Sequence, residues 1–342
     1  MLIARAPVRV SLAGGGTDLP AYYLEHGGLV VSTSIDKYVY IMVTLTGADS
    51  VQISSSDYQA FFRQRRGEPV LWGGDLALPR AFLHQFGIDS GISVFLASEV
   101  PPGTGLGSSS AVAVALAKAL STVRGQSLNK GELAELASFV EIEKLGMPIG
   151  RQDQYAAAFG GLNIIRFGSE RIEVEALNLP QHTLATLEQR LLLFFTGSTR
   201  KASSILKHQQ ASTQQHDATT LNSLHQIKAM AETTIDLLRK GALDDFGALL
   251  HESWEAKKRL ARGISNPKID EWYAIARAHG VRGGKVTGAG GGGFLMLYAD
   301  EDIQDALTTV LEREGLVRMD FRFDSGGAVV LLNSLPSVPA AG

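Results

Sequence analysis

From Leu2 to Ala13 the apolar positions Ile3, Val8, Val10 and Leu12 mark a strand, interrupted at Pro7. Gly14-Gly15-Gly16-Thr17-Asp18 ends it, and a short helix over residues 21–25 follows with Asp18 as its cap. Residues 29–35, 38–45 and 51–54 read as three further strands, and 73–86 as a helix. Val94, Leu96 and Val100 mark a strand over 92–100, and an Ala- and Leu-rich helix occupies 111–120. Leu133, Leu136, Ala137, Val140 and Leu145 recur at helical spacing and predict one helix over 130–145, stopped by Gly146 to Gly150. Residues 162–167 and 171–177 read as a hairpin, and Asn178-Leu179-Pro180 breaks the pattern. Beyond a strand at 191–195 the chain turns helical, over 201–210, 221–239, 243–260, 267–279 and 302–314. Strands at 286, 294–298 and 329–332 are interspersed. This pattern predicts an α+β chain of two domains, 1–185 and 186–342.

The stretch Pro101-Pro102-Gly103-Thr104-Gly105-Leu106-Gly107-Ser108-Ser109-Ser110 joins a strand to a helix. Glycines there bring bare N–H groups, and serines bring hydroxyls, to the positive end of the helix, where an anion is stabilised. The same composition also serves an ordinary strand-to-helix turn with a serine cap, and the segment itself leaves both readings open. No Gly-Lys-Ser/Thr closes it as a Walker A loop, and the third glycine of a dinucleotide fingerprint falls on Ser108.

Composition narrows the classes. The chain has 342 residues, 45% hydrophobic and 20% charged, enough for two globular domains. A formal net charge of −3 carries no nucleic-acid footprint and no polybasic membrane patch. The absence of Cys excludes disulfides, thiolate metal sites and a Cys nucleophile. No secretory pattern or membrane-length apolar run is seen, so a cytoplasmic location is expected.

Three segments taken together resemble a known family. Arg5-Ala-Pro-Val-Arg-Val-Ser-Leu-Ala-Gly-Gly-Gly-Thr-Asp18, Pro101-Pro-Gly-Thr-Gly-Leu-Gly-Ser-Ser109 and Lys285-Val-Thr-Gly-Ala-Gly-Gly-Gly-Gly293 look like the three motifs of the GHMP kinases, in order and across nearly the whole chain. Gly14 to Pro20, Gly150 to Tyr155, Ile264 to Ile269 and Gly283 to Gly293 most resemble the members that phosphorylate the anomeric position of a heptose 7-phosphate. The resemblance implies a ribosomal-protein-S5-like N-terminal domain and a C-terminal domain related to the ferredoxin-like arrangement. It also implies ATP and Mg²⁺ as cofactors, a small sugar or sugar phosphate as partner, and a site between the domains.

Roles follow from the resemblance residue by residue. Gly150-Arg151-Gln152-Asp153-Gln154 is similar to the family's Gly-x-x-Asp-Gln, which implies that Asp153 is the catalytic carboxylate. From spacing alone Asp153 reads as a helix cap. Arg9 stands where the family carries a cation after Ala-Pro-x, and is implied as its catalytic companion; otherwise it is a strand arginine in a weak exposed pair. Pro102, Gly103, Thr104, Gly105, Leu106, Gly107, Ser108 and Ser109 would cradle the ATP phosphates, with Gly288, Gly290 and Gly291 closing from the other domain. Ser109 and Glu141 are the implied metal-side groups, with Glu143 as the competitor. Ser110 is assigned only a capping role. Gly16, Thr17 and Asp18 are assigned to the sugar, and Arg151, Arg200 and Lys201 to a phosphate on it. Where galactokinases carry Gly-Glu-His-Thr-Asp, this chain has Gly14-Gly15-Gly16-Thr17-Asp18, which leaves room for a larger sugar. Another sugar, such as L-fucose, and a sensor that binds sugar and ATP without turnover are the alternative readings.

Overall fold

The computed structural model describes residues 1–69, 72–199 and 203–335. Leu2–Ala13 forms one continuous strand, β1, with Pro7 inside it. Pro7 has no N–H to give to a ladder, and it sits where the register slips. Pro7 lies opposite Tyr38, but Val8 lies opposite Ile35. After helix α1 (Pro20–His26), the partner strand β2 runs unbroken from Gly28 to Leu45. Asp36 and Lys37 are therefore a bulge in one long strand, where the sequence pattern predicted two. Neither is a Gly or Pro, and both flanks of the bulge pair with β1.

β3 (Ser50–Ser55), β4 (Ala60–Arg65), α2 (Ala77–Gln85) and β5 (Ile92–Ser98) follow, then α3 (Ser108–Val123). Helix α4 (Lys130–Ser138) continues into a π-helical segment, Phe139–Lys144, where one α-helix was expected. Next come α5 (Gln152–Phe159), β6 (Leu162–Phe167), β7 (Ile172–Ala176), α6 (Gln181–Arg190) and β8 (Leu191–Phe195). The segment around 178–190, expected as a domain break, is thus largely helix. The remainder is α7 (Ser203–Gln214), α8 (Ala218–Lys240), α9 (Leu243–Lys258), α10 (Pro267–Ala278), β9 (Gly283–Val286), β10 (Phe294–Tyr298), α11 (Glu301–Arg313), β11 (Val317–Met319) and β12 (Val329–Asn333).

Two sheets result. The larger has the order β12-β1-β2-β5-β3-β4, with β6 and β7 continuing from β2. The smaller has the order β11-β8-β10-β9. A division at 185/186 separates the sheets except at the end of the chain, where β12 returns to pair with β1. Every residue of β1 from Ala6 to Ala13 is buried, which requires cover on both faces of the strand. Helices α3, α5, α8 and α9 all pack against β1. Arg9 and Ser11 are polar residues held inside that buried run. Among the described residues no helix is long and apolar enough to cross a membrane.

The sheets meet through two glycine loops. The carbonyl of Thr104 accepts from the Phe294 N–H at 3.3 Å and from the Thr287 hydroxyl at 3.2 Å. Gly293 has φ +88°, and a Cβ on it would lie 2.2 Å from the Thr104 oxygen. Gly47, at φ +64°, has nothing within 4 Å of the same point. Gly293→Ala therefore carries a steric penalty on top of the left-handed backbone strain that Gly47→Ala also carries. Denaturant unfolding should show Gly293→Ala destabilised by at least about 1 kcal/mol more than Gly47→Ala. Equal effects would mean that the loop contact adds nothing.

Candidate active site

A cavity of about 640 Å³ lies between the two sheets. Its first wall is built around Arg9, in the middle of β1. Arg9 is buried, and its guanidinium holds Asp153 Oδ1 from Nε at 2.8 Å and from Nη2 at 2.6 Å. Its Nη1 donates to the Gly105 carbonyl at 2.6 Å. One side chain thus ties the strand, the phosphate-type loop and α5 together. Asp153 is the second residue of α5 and does not cap it; the cap position is Arg151, without a side-chain bond. Its carboxylate faces Arg9 and the cavity.

Asp18 lies deeper. Its carboxylate accepts from the Gly16 N–H at 2.9 Å and the Gln152 N–H at 3.3 Å, and does not cap α1. Burial, and then the charge of Asp153, raise its pKa above the usual range. The approach of residues 150–152 depends on Gly150, because a Cβ there would fall 1.9 Å from Asp18 Oδ2.

The N-terminus of α3 is open to the same cavity. Gly107 is its cap residue, at φ +77°, and no side chain caps the helix. Gly103, Gly105, Gly107, Ser108 and Ser109 line the space. The serines are therefore free of the capping role assigned to Ser110. The Ser109 hydroxyl instead donates to Glu141 Oε1 at 2.8 Å, and Ser110 also hydrogen-bonds Glu141. Gln154 Nε2 donates to Glu141 Oε2 at 2.7 Å. Glu141 is fully buried, and burial pushes its carboxyl up to about 7 against the pull of those hydrogen bonds. Glu143 points outward to Arg151 at 3.8 Å, with its side chain 57% exposed. Two positions apart on a helix, these carboxylates face different ways, and only Glu141 reaches the loop.

Several residues expected at the site stand elsewhere. The Thr17 hydroxyl is buried and spent on the carbonyls of Gly14 and Leu29. It fastens α1 to β2 and does not line the cavity. Thr104 and Leu106 are likewise buried beneath the loop, and Thr104 bonds its own Pro101 carbonyl. Gly290 and Gly291 pack on Ile264, whose carbonyl accepts from the Gly291 N–H at 2.8 Å. Gly288 does reach the cavity. Arg151 is turned away, paired with Glu135 at 3.3 Å and with Glu143. Arg200 and Lys201 lie outside the described residues.

The opposite wall carries two cations that the sequence reading missed. Lys257, in the last turn of α9, donates to the carbonyls of Val286 at 3.2 Å and Gly288 at 2.5 Å. Lys285, on β9, is buried and donates to the Leu12 carbonyl at 3.0 Å. Burial, followed by the charge of Arg9, lowers Lys257 to about 8. Burial, then Lys257 and Arg9, lowers Lys285 well below the ordinary lysine value. Lys285 opens the third glycine motif and could have been flagged from it. Lys257 sits in an ordinary amphipathic helix and carries no local signal.

A helix N-terminus stripped of side-chain caps, facing an Arg–Asp pair and a cationic wall, is a site for moving a phosphoryl group. The comparisons name the class. Residues 76–161 match the GHMP kinases N terminal domain, and residues 234–315 match the GHMP kinases C terminal region. The chain is 31% identical to the D-glycero-alpha-D-manno-heptose 7-phosphate kinase of Campylobacter jejuni, over 94% of this chain and 96% of that one. It is 27% identical to the L-fucokinase/L-fucose-1-P guanylyltransferase of Bacteroides fragilis, over 87% of this chain but 34% of that protein. The solved structure of a D-glycero-D-manno-heptose 1-phosphate kinase from Bacteroides thetaiotaomicron superposes with a TM-score of 0.82 at 26% identity, covering 98% of this chain and 100% of that one. The chain belongs to the GHMP kinases and is a phosphotransferase.

The lowered Lys257 has a signed consequence for stability. An unfolded chain keeps this proton up to about pH 10.5, whereas the folded chain releases it near 8. The group's contribution to stability is therefore lowest below pH 8 and grows as pH rises through that window. The Tm of the unliganded wild type, relative to Lys257→Met, should rise from about pH 7.5 to about pH 9.5. A flat difference would show that burial does not depress Lys257.

Proposed function

We propose that this protein is an ATP- and Mg²⁺-dependent sugar kinase. In this reading it transfers the γ-phosphoryl group to the anomeric hydroxyl of D-glycero-D-manno-heptose 7-phosphate, giving the 1,7-bisphosphate. The observation that carries the reading is the Arg9–Asp153 pair set against Gly105 in the inter-sheet cavity. The heptose phosphate activities named for the relatives support the acceptor, as does the glycine-lined wall at Gly15 and Gly16. The fucokinase match is more distant. A non-catalytic sensor would have no use for both an Arg–Asp pair and a Ser–Glu pair at one loop. An ATP-consuming kinase of this kind would act in the cytoplasm.

Asp153 orients the acceptor hydroxyl and takes its proton as the oxygen bonds the γ-phosphorus and the bond to the β-phosphate oxygen breaks, releasing ADP. Arg9 pairs with that carboxylate and fixes its direction, so positioning and charge stabilisation carry the rate. Asp18 accepts from sugar hydroxyls. The bare N–H groups of Gly103 to Ser109 receive the phosphates at the helix terminus.

Ser109 and Glu141 fit a divalent cation. A fully buried carboxylate bonded only to neutral donors lacks a counter-charge, and the donor set is all oxygen. Among the described residues no group of three acidic or histidine side chains could enclose a metal, which suits an ion that keeps waters and phosphate oxygens as ligands. Mg²⁺ bound there would neutralise charge on the phosphate oxygens.

³¹P NMR with Mg·ATP and a panel of hexoses, heptoses and their terminal phosphates should show a new anomeric phosphate with the heptose 7-phosphate. A product only with another sugar would replace the acceptor. Asp153→Asn should lower kcat by about 10²–10⁴-fold with ATP affinity nearly unchanged. Full activity would remove Asp153 from catalysis. Glu141→Gln should raise the Mg²⁺ concentration needed for half-maximal activity and Glu143→Gln should not; the reverse pattern would exchange their roles.

A further inference from the structure

Lys257 and Lys285 are used by none of the roles above, yet they stand in the reaction cavity. Among the described residues neither forms an ion pair with a carboxylate. Their bonds all go to backbone carbonyls: two from Lys257 and one from Lys285. Each ammonium has three N–H donors, so donors remain on both. Nearby carboxylates are hydrogen-bonded to other groups, although Asp18 still attracts Lys257 through space. Asp153 is held by Arg9 at 2.6 Å, and the Asp18 carboxylate accepts two backbone N–H groups. The wall thus sets two lysines opposite Arg9, with Asp18 acting on Lys257 through space and no carboxylate bonded to either, an arrangement that an entering anion would complete.

Position narrows the anion. The Gly288 carbonyl that holds Lys257 belongs to a residue whose Cβ position is 2.6 Å from Gly105 Cα. Lys257 is therefore anchored at the junction of the two glycine loops. Lys285 is anchored on β1, at the carbonyl of Leu12, three residues beyond Arg9. An anion between the two ammonium groups would lie beside the loop and face the Arg9–Asp153 pair.

We propose that Lys257 and Lys285 form a phosphoryl seat on the C-terminal wall, which holds a dianionic phosphoryl group facing Arg9. The proposal rests on the kinase reading and adds the groups that grip one phosphoryl from the second domain. The occupant is either the γ-phosphoryl of the nucleotide or the phosphate already on the sugar. Both present the same oxygens, and the experiment separates them. Each lysine would supply charge-assisted hydrogen bonds of about 1.5–3 kcal/mol, or roughly tenfold or more in affinity per lysine.

The test titrates the full chain with Mg·AMP-PNP and Mg·ADP by calorimetry. Steady-state rates are measured with the heptose 7-phosphate and with the unphosphorylated heptose. Wild type, Lys257→Gln, Lys257→Arg and Lys285→Gln are compared, with Tm recorded for each. Lys257 is the primary site because Lys285→Gln, in a buried strand, could disturb folding.

If the seat takes the γ-phosphoryl, Lys257→Gln weakens AMP-PNP about tenfold or more and leaves ADP within about twofold. Its kcat falls while KM for the sugar holds. If the seat takes the sugar's phosphate, both nucleotides bind as before. KM for the heptose 7-phosphate then rises about tenfold, and kcat/KM for the unphosphorylated heptose is unchanged. In either case Lys257→Arg restores part of the loss, and either pattern supports the seat. Equal weakening of every ligand together with a lowered Tm would make the lysines structural ties and overturn it. Ligand affinities and rates unchanged in both glutamine variants would also overturn it. A wild type that binds AMP-PNP but phosphorylates no sugar would defeat the acceptor reading, while the AMP-PNP against ADP comparison would still decide the nucleotide seat.

Discussion

The backbone contact between residues 104–105 and 287–293 governs where every group in the cavity can stand. Hydrogen bonds from Thr287 and Phe294 to the Thr104 carbonyl join a loop of the larger sheet to a loop of the smaller one. Glycine at 105, 288 and 293 removes the Cβ atoms that would hold the backbones apart. The cavity is the space left beside this junction. Arg9 reaches the Gly105 carbonyl from one side and Lys257 the Gly288 carbonyl from the other, so the two walls are registered by the same loops.

Charge is distributed unevenly around that junction. Arg9 and Asp153 neutralise each other, whereas Glu141 on one side and Lys285 on the other are buried, and Lys257 is half-buried, with none of the three in an ion pair among the described residues. A buried unpaired charge is unfavourable in the free protein. It becomes favourable when a ligand brings the missing charge. In the proposed reading, a metal–phosphate complex would present positive charge to Glu141 and negative charge to the lysines. Such a site is arranged for its ligand at the expense of the empty state, as expected where preorganised electrostatics supplies most of a rate enhancement.

Relatives with heptose phosphate activities share the length and fold of this chain. Near Asp18 the chain carries Gly14-Gly15-Gly16, and Gly15 and Gly16 line the cavity. Ser11 Oγ and Gln152 Oε1 are buried there without protein partners among the described residues. Both residues line the cavity together with Asp18.

The sequence by itself determined the class of fold, the family and the three loops, because glycine runs after apolar strands leave a local, ordered signal. It also pointed to Arg9, Asp153, Ser109 and Glu141, whose neighbours in the chain form recognisable strings. Other features depended on packing. The Asp36–Lys37 bulge follows from pairing with β1, and the return of β12 to the larger sheet follows from an edge strand seeking a partner. The inward turn of Glu141 agrees with helical spacing from Leu133 and Ala137, but the π-helical form of the segment that carries it is not encoded in that spacing. Thr17 and Arg151 carry side chains suited to a substrate, but long-range partners at Leu29 and Glu135 claim them. Lys257 is the converse case. On α9 it looks like one of many solvated lysines, and only the fold sets it against Gly288, across 31 residues of chain, beside the reacting groups. Local strings specify loops and backbone turns; which charges end up facing one another is decided by contacts distant in sequence.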